Sequence, residues 1–244
     1  MFKRGSAYLL DSILLMIVAV FAATCFSGMF NYDARSQELE ACYNRFEEQF
    51  QVDFDITPEA YEALSQEEQE RFDQAYAAMS ADEDTLYIYN SMIFLTLAII
   101  TCSVLTGFIL LEFVVPLLLK NGQTLGKKIF GVALMRPDCV KISAVSLFIR
   151  AILAKFSIGT MVPVLLGLMM MWGAVGIIAP LIILGLLAAQ IILTYKSEVN
   201  ATIQDRMAAT VAVDFGSQLI FDTQEAMLAH KKRLEEDRAS RNVY

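Results

Sequence analysis

The stretch LYIYNSMIFLTLAIITCSVLTGFILLEFVVPLLL, residues 86–119, decides the fold. Glu112 is its only charged residue. The hydrocarbon core of a bilayer is crossed by about 20 helical residues, so this segment spans a membrane with length to spare. Two further apolar stretches stand beside it: residues 7–30, interrupted by Asp11, and residues 161–195. The chain is 56% hydrophobic, and that fraction sits in blocks, as a bilayer-embedded chain requires. The sequence therefore predicts an all-α integral membrane protein.

Outward from these blocks, charge is divided unevenly. Between residues 33 and 84 there are 16 acidic side chains and three arginines, a local charge of −13 in a chain of −8, which leaves +5 elsewhere. Lys3 and Arg4 precede the first block, and Lys120, Lys127, Lys128, Arg136 and Lys141 follow the second against one acid, Asp138. Short loops rich in Lys and Arg stay cytoplasmic. This places the N-terminus inside, the acidic insert outside and the basic loop inside. A cleaved signal peptide is the alternative for residues 1–30, but Asp11 falls in its apolar core and no small-residue cleavage site closes it.

The third block exceeds a single span, and Pro163, Gly167, Gly173, Gly176 and Pro180 interrupt it. A hairpin of two short spans, about 157–173 and 176–195, turns at Gly173 to Pro180 and returns the tail to the cytoplasm. One long kinked helix is the alternative, opposed by the cluster Lys231, Lys232 and Arg233 in the tail. Before it, Ile142, Val145, Phe148, Ile149, Ile152, Leu153 and Phe156 recur at helical spacing. They predict an amphipathic helix in the membrane interface with Arg150 and Lys155 toward phosphates or carboxylates.

The expected organisation is a first transmembrane helix (1–32), an acidic extracytoplasmic helical insert (33–85), a second transmembrane helix (86–119) and a basic cytoplasmic loop with the interfacial helix (120–156). A transmembrane hairpin or single kinked helix (157–195) and a cytoplasmic tail (196–244) complete a bundle of about four spans. In the insert, Leu39, Tyr43, Phe46 and Phe50 form one apolar stripe and Phe72, Tyr76 and Met79 another. Thr57-Pro58 and Ser65 with Glu68 mark helix starts, the second a capping box. Such a charge run is a solvated face, or a surface that gathers cations or a basic partner.

Several chemistries lack their residues. The four cysteines include no CxxC pair, His230 stands alone, and no EF-hand pattern appears, so no metal or cofactor is expected. In NGQTLGKK, residues 121–128, three residues rather than four separate the glycines and Lys128 stands where a P-loop has Ser or Thr. A juxtamembrane loop whose Lys127 and Lys128 touch anionic headgroups is the better account. No nucleophile is spaced with a base, so an enzyme is not expected, nor is a nucleic-acid partner. Asn200-Ala201-Thr202 fits a glycosylation sequon that a cytoplasmic tail makes meaningless.

What remains is a set of ionisable groups at membrane depth. Arg4 and Asp11 lie two turns apart on one helical face with Tyr8 between them, Asp11 about 10 Å deeper. Glu112, eight residues before Lys120, reaches similar depth. Intramembrane acids face a partner or a watery cavity. The candidate partners are Arg4, Arg150, Lys155 and Arg206, and Asp11, Glu112 and Arg150 are the candidates for an ion or proton path. Asp11 coupled to Arg4 either titrates as a cation or proton binds or forms a permanent lock between spans. Thr202 and Asp205 suit the start of a short helix at the inner surface.

The segments KRGSAYLLDSILL (3–15), NGQTLGKKIFGVALMRPDCVKISAVSLFIRAIL (121–153) and NATIQDRMAATVAVD (200–214) resemble the RDD family of small, mostly bacterial membrane proteins. The resemblance maps the arginine and two aspartates of the family's name to Arg4, Asp11 and Asp205. It implies a bacterial plasma membrane location. Sodium/proton antiport is linked to some members, so a monovalent cation or proton is the implied solute. Cys139 and Ala209 stand where the family usually carries glycine, and Gln204 where it often carries His. Two functions follow as expectations: transport of a cation or small solute along intramembrane carboxylates, in a homo-oligomer because so few spans make a small pore, or a non-catalytic scaffold that recruits a protein partner.

Overall fold

The computed structural model describes residues 2–119, 121–171, 176–197, 201–216 and 218–241. Lys120, Gly173 and Asn200, on which parts of the sequence reading fall, lie outside these residues. The chain order is α1 (Phe2–Met29), α2 (Tyr32–Phe50), α3 (Pro58–Glu62), α4 (Gln66–Ala81), α5 (Glu83–Leu118), α6 (Leu125–Ile129) and β1 (Val132–Met135). Then come α7 (Ala144–Met170), α8 (Ile178–Lys196), α9 (Ile203–Met207), β2 (Val211–Asp214) and α10 (Gln224–Arg241). Helices α1, α5, α7 and α8 are long and apolar enough to cross a membrane. Their surfaces expose Ile13, Ile17, Phe94, Leu181 and Leu184, and apolar exposure on this scale marks a lipid-facing surface.

Two compact units divide the chain, one of Phe21–Ser103 and one of Met1–Val20 with Val104–Tyr244. In the first, α2 and α4 pack together over buried Phe46 and Ala75. Phe54, in the link after α2, meets Tyr43, while Phe72 of α4 meets both Phe54 and Tyr61 edge to face at centroid distances of 5.5 and 5.2 Å. Thr57 caps α3 and Ser65 caps α4, with the reciprocal Ser65–Glu68 bonds of a capping box, as the spacing predicts. The α4 stripe differs in one place. Ala75, not Tyr76, is its buried centre, and Tyr76 is exposed.

In the second unit, Phe108, Phe156 and Met161 form a core cluster joined by Leu15 and Ile152. The segment predicted to lie in the interface does not end at Phe156. It runs on as part of α7, a single 27-residue helix, with Pro163 inside it. Two stretches of this unit have wide, i→i+5 turns: Phe108–Val114 in α5 and Ile149–Met161 in α7. Each is followed closely by a proline, Pro116 or Pro163, which has no N–H for an ordinary turn and crowds the carbonyl four residues back.

A two-stranded antiparallel ribbon departs from the all-α expectation. β1 pairs with β2 from Val132 opposite Asp214 to Met135 opposite Val211. Four buried apolar residues without alternation, as in β1, cannot be told from a loop or a helix edge by periodicity. The ribbon ties the loop after α5 to the segment after α8, and Lys3 of α1 pairs with Asp214 at 2.7 Å.

Candidate functional site: a buried charge cluster

Asp11, Glu112, Arg150 and Asp205 are 6, 6, 7 and 1% exposed, and every one of them is paired. Asp11 projects from α1 onto the start of α6. Its two oxygens accept from the Thr124 hydroxyl and, at 2.7 Å, from the Gly126 N–H. Thr124 is also the N-cap of α6, its oxygen accepting from the Lys127 N–H. A carboxylate at a helix start, meeting N–H groups that lack helical partners, is held by hydrogen bonds and dipole alike. Gly126 is required for the approach. A Cβ there would strike the Ala7 carbonyl and stand 2.8 Å from Asp11 Oδ1.

Among the described residues the ion-pair partner of Arg4 is Asp205 rather than Asp11. The Arg4 guanidinium reaches Asp205, 201 residues away in sequence, at 3.3 Å. Two turns on one helical face still leave the groups about 10 Å apart along the axis, whereas the ribbon brings the segment after α8 alongside the first turn of α1. Asp205 is the N3 residue of α9 and closes a capping box with Thr202, accepting from its N–H at 2.9 Å and its hydroxyl at 2.7 Å. The helix-starting role anticipated for this pair is thus combined with a second one. The other Asp205 oxygen accepts from Arg150, which also donates to Thr210 at 2.8 Å. Burial pushes the Asp205 carboxyl up, but the Arg150 charge and these hydrogen bonds outweigh it and hold the group below the usual carboxylate range.

The second pair joins Lys155 of α7 to Glu112 of α5. The Lys155 ammonium also lies over the rings of Tyr8 and Phe108, at 5.2 and 5.8 Å, positions in which the ring faces attract a cation. Lys127 approaches Glu112 only to 4.0 Å. Burial lowers its pKa, the Glu112 charge works against this, and the nearby Arg150 and Lys155 cations lower it further, to about 8. The wide turns explain the alignment. In an ordinary α-helix, residues five apart point about 140° from one another, but where turns close at i+5 they stack, so Arg150 and Lys155 share a face.

These side chains line one cavity of about 700 Å³. Arg4, Asp11, Glu112, Lys127, Arg150, Lys155 and Asp205 all border it, together with Gln190 of α8. The three candidates for a polar path, Asp11, Glu112 and Arg150, therefore reach a common space. Arg206 is exposed and stands apart from it. The adjacent lysines diverge, Lys127 turning to Glu112 while Lys128 is exposed, because neighbouring residues on a helix point about 100° apart. Thr124, Gly126, Thr210 and Gln190 escaped the sequence reading as site residues. Thr124 had a readable signal as a helix-cap residue after a Gly-bearing loop, while nothing local ties Gly126 to Asp11 or Thr210 to Arg150, and Gln190 reads as one polar residue in an apolar span.

Cys139 and Ala209, the two positions where the resemblance expects glycine, have φ of 64° and 49°. The left-handed region costs an L-residue about 1–2 kcal/mol, which accounts for glycine there. Among the described residues no group of three or more His, Cys, Asp and Glu side chains could hold a metal ion.

Four helices long and apolar enough to cross a bilayer, three of them carrying buried charges that join them to other elements, define a multi-pass membrane protein. The RDD family model matches residues 1–209, and the chain belongs to the RDD family. No curated protein and no solved structure matches it.

Proposed function

We propose that this chain is a transport protein, or a subunit of one, that moves a small solute through the charged cavity. One observation carries the reading. Seven ionisable side chains from α1, α5, α6, α7 and α9 converge on a single space within the unit of Met1–Val20 and Val104–Tyr244. Burying that many charges is expensive for stability alone, since a buried ion pair is often no better than well-packed apolar residues. Ionisable groups at membrane depth mark substrate and ion pathways. The excess of Lys and Arg near the start of α1 and in residues 120–141 supports an orientation with this end in the cytoplasm of a bacterial plasma membrane.

The test is flux in proteoliposomes under sodium, potassium and proton gradients, with and without added organic anions, comparing the parent with Glu112→Gln and Asp11→Asn. Transport predicts that Glu112→Gln, which leaves the Lys155 ammonium without its carboxylate and lowers stability, abolishes flux per folded molecule. No flux of any solute in the parent removes the reading. A scaffold role is favoured by α10, whose charged side chains are exposed along most of its length. Loss of partner capture on deleting residues 218–241, with flux unchanged, would assign that role to α10 alone.

A further inference from the structure

Three features of the cavity bear on what it holds. The first is charge. Four cations, Arg4, Lys127, Arg150 and Lys155, face three carboxylates, Asp11, Glu112 and Asp205. Each carboxylate already accepts at least one strong hydrogen bond, so a cation entering would have to displace a donor. The Lys127 ammonium is the opposite case. Among the described residues it has no hydrogen-bond partner, its nearest carboxylate lies at 4.0 Å, and it borders the cavity. The site has an ammonium to offer and no bare carboxylate.

The second is size. A space of about 700 Å³ lies in the range of pockets that take small organic molecules, about 300–1,000 Å³, and far exceeds a single ion with one or two waters at about 30 Å³ each.

The third is a gradient. Along α7 the cavity wall changes from Arg150 and Lys155 to Ile158 and Pro163, the Thr160 hydroxyl between them being spent on the Lys155 carbonyl at 3.0 Å. Along α8, which follows α7 and packs against it, the wall changes from Thr194 and Gln190 back to Leu186 and Ile183. The polar ends of both walls lie with the charge cluster, since the Gln190 side chain accepts from the Ile203 N–H at the start of α9.

We propose that the cavity binds an anionic amphiphile, a single-chain molecule with a phosphate or carboxylate head on Lys127 and a short apolar tail between Ile158 and Leu186. This rests on the reading of the cavity as a solute site and names its substrate class. It separates the chain from a carrier of bare monovalent cations. The headgroup supplies a hydrogen-bond acceptor that none of the described residues gives Lys127, and the tail covers apolar wall that a hydrated inorganic ion would leave wet.

The experiment uses the full chain in a nonionic detergent, titrated with hexyl phosphate, inorganic phosphate, hexyltrimethylammonium and sodium chloride, with heat of binding and thermal midpoint as readouts. Hexyl phosphate should bind at least tenfold tighter than inorganic phosphate and raise the midpoint, while hexyltrimethylammonium and sodium leave it unchanged. Lys127→Met should weaken hexyl phosphate at least tenfold, and Leu186→Ser should shrink the preference for hexyl phosphate over inorganic phosphate. If Lys127→Met fails to fold, Leu186→Ser alone carries the test. Equal stabilisation by the cationic amphiphile or by sodium overturns the proposal, as does equal affinity for inorganic and hexyl phosphate. Hexyl phosphate binding in a chain that shows no flux supports this assignment while removing the transport reading, and sodium flux in a chain that does not bind hexyl phosphate does the reverse.

Discussion

The helical insert and the charge cluster both contain ion pairs, yet those pairs differ in kind. In the insert, Arg45 meets Asp82 at 2.7 Å and Arg35 meets Glu38 at 2.7 Å, with side chains roughly a quarter to a half exposed. Water screens such pairs, and each contributes little. The insert is held instead by the Phe54–Phe72–Tyr61 ring contacts and its helix caps. In the cluster, Arg150 with Asp205 and Lys155 with Glu112 are largely withdrawn from water. There the pairs decide which helix ends meet, because an orphaned buried charge costs far more than a paired one contributes.

The contrast breaks most sharply at Arg150. Arg150→Met leaves Asp205 buried with Arg4 as its remaining ion-pair partner among the described residues, and removes a donor from Thr210. A loss of about 3–5 kcal/mol is expected, read as a drop in the denaturation midpoint in micelles. Gly126→Ala should cost about 1–3 kcal/mol by forcing α6 away from Ala7 and Asp11, with the same readout. Ala209→Gly should move the other way, stabilising by up to about 1 kcal/mol as the left-handed strain is relieved and partly offset by greater unfolded-chain freedom. Arg45→Ala in the insert should barely move the midpoint, because water screens its pair with Asp82. An Arg45 effect as large as that of Arg150 would erase the distinction between the two regions.

A pH dependence sharpens the same comparison. Lys127 has its folded-state pKa lowered to about 8 against an ordinary 10.5, so its charged form disfavours the folded state. That cost is fully present below about pH 8 and is relieved as pH rises from there toward the ordinary lysine value. The midpoint of the parent should therefore gain over this window relative to Lys127→Met. Equal slopes would show that Lys127 is solvated like a surface lysine.

Much of this architecture is legible in the residues. The apolar blocks announce their helices by length, and Thr57, Ser65 and Glu68 announce the helix starts of the insert by capping chemistry. Asp11, Glu112 and Arg150 stand out because ionisable groups at that depth need partners. Which partner each takes is less legible. Arg4 looks like the neighbour of Asp11 because both lie on one face of α1, but a side chain's partner is set by what packs against that face. The ribbon that delivers Asp205 is built from two four-residue strands too short to carry a period. The wide turns that align Arg150 with Lys155 leave no mark on a 3.6-residue pattern either, although the prolines near their ends are a trace of them. Cys139 and Ala209 show the converse: the glycine that the resemblance places at each is their one trace in the sequence, and φ of 64° and 49° gives its reason.

The central claim is that Arg4, Asp11 and Asp205 divide, Arg4 going to Asp205 and Asp11 to the Thr124–Gly126 turn. Two double-mutant cycles measured by denaturation in the same micelles test it directly: Arg4→Gln with Asp205→Asn, and Arg4→Gln with Asp11→Asn. The structure predicts a coupling of about 1–3 kcal/mol in the first cycle and less than about 0.5 kcal/mol in the second. Strong coupling between Arg4 and Asp11, with none between Arg4 and Asp205, would contradict it.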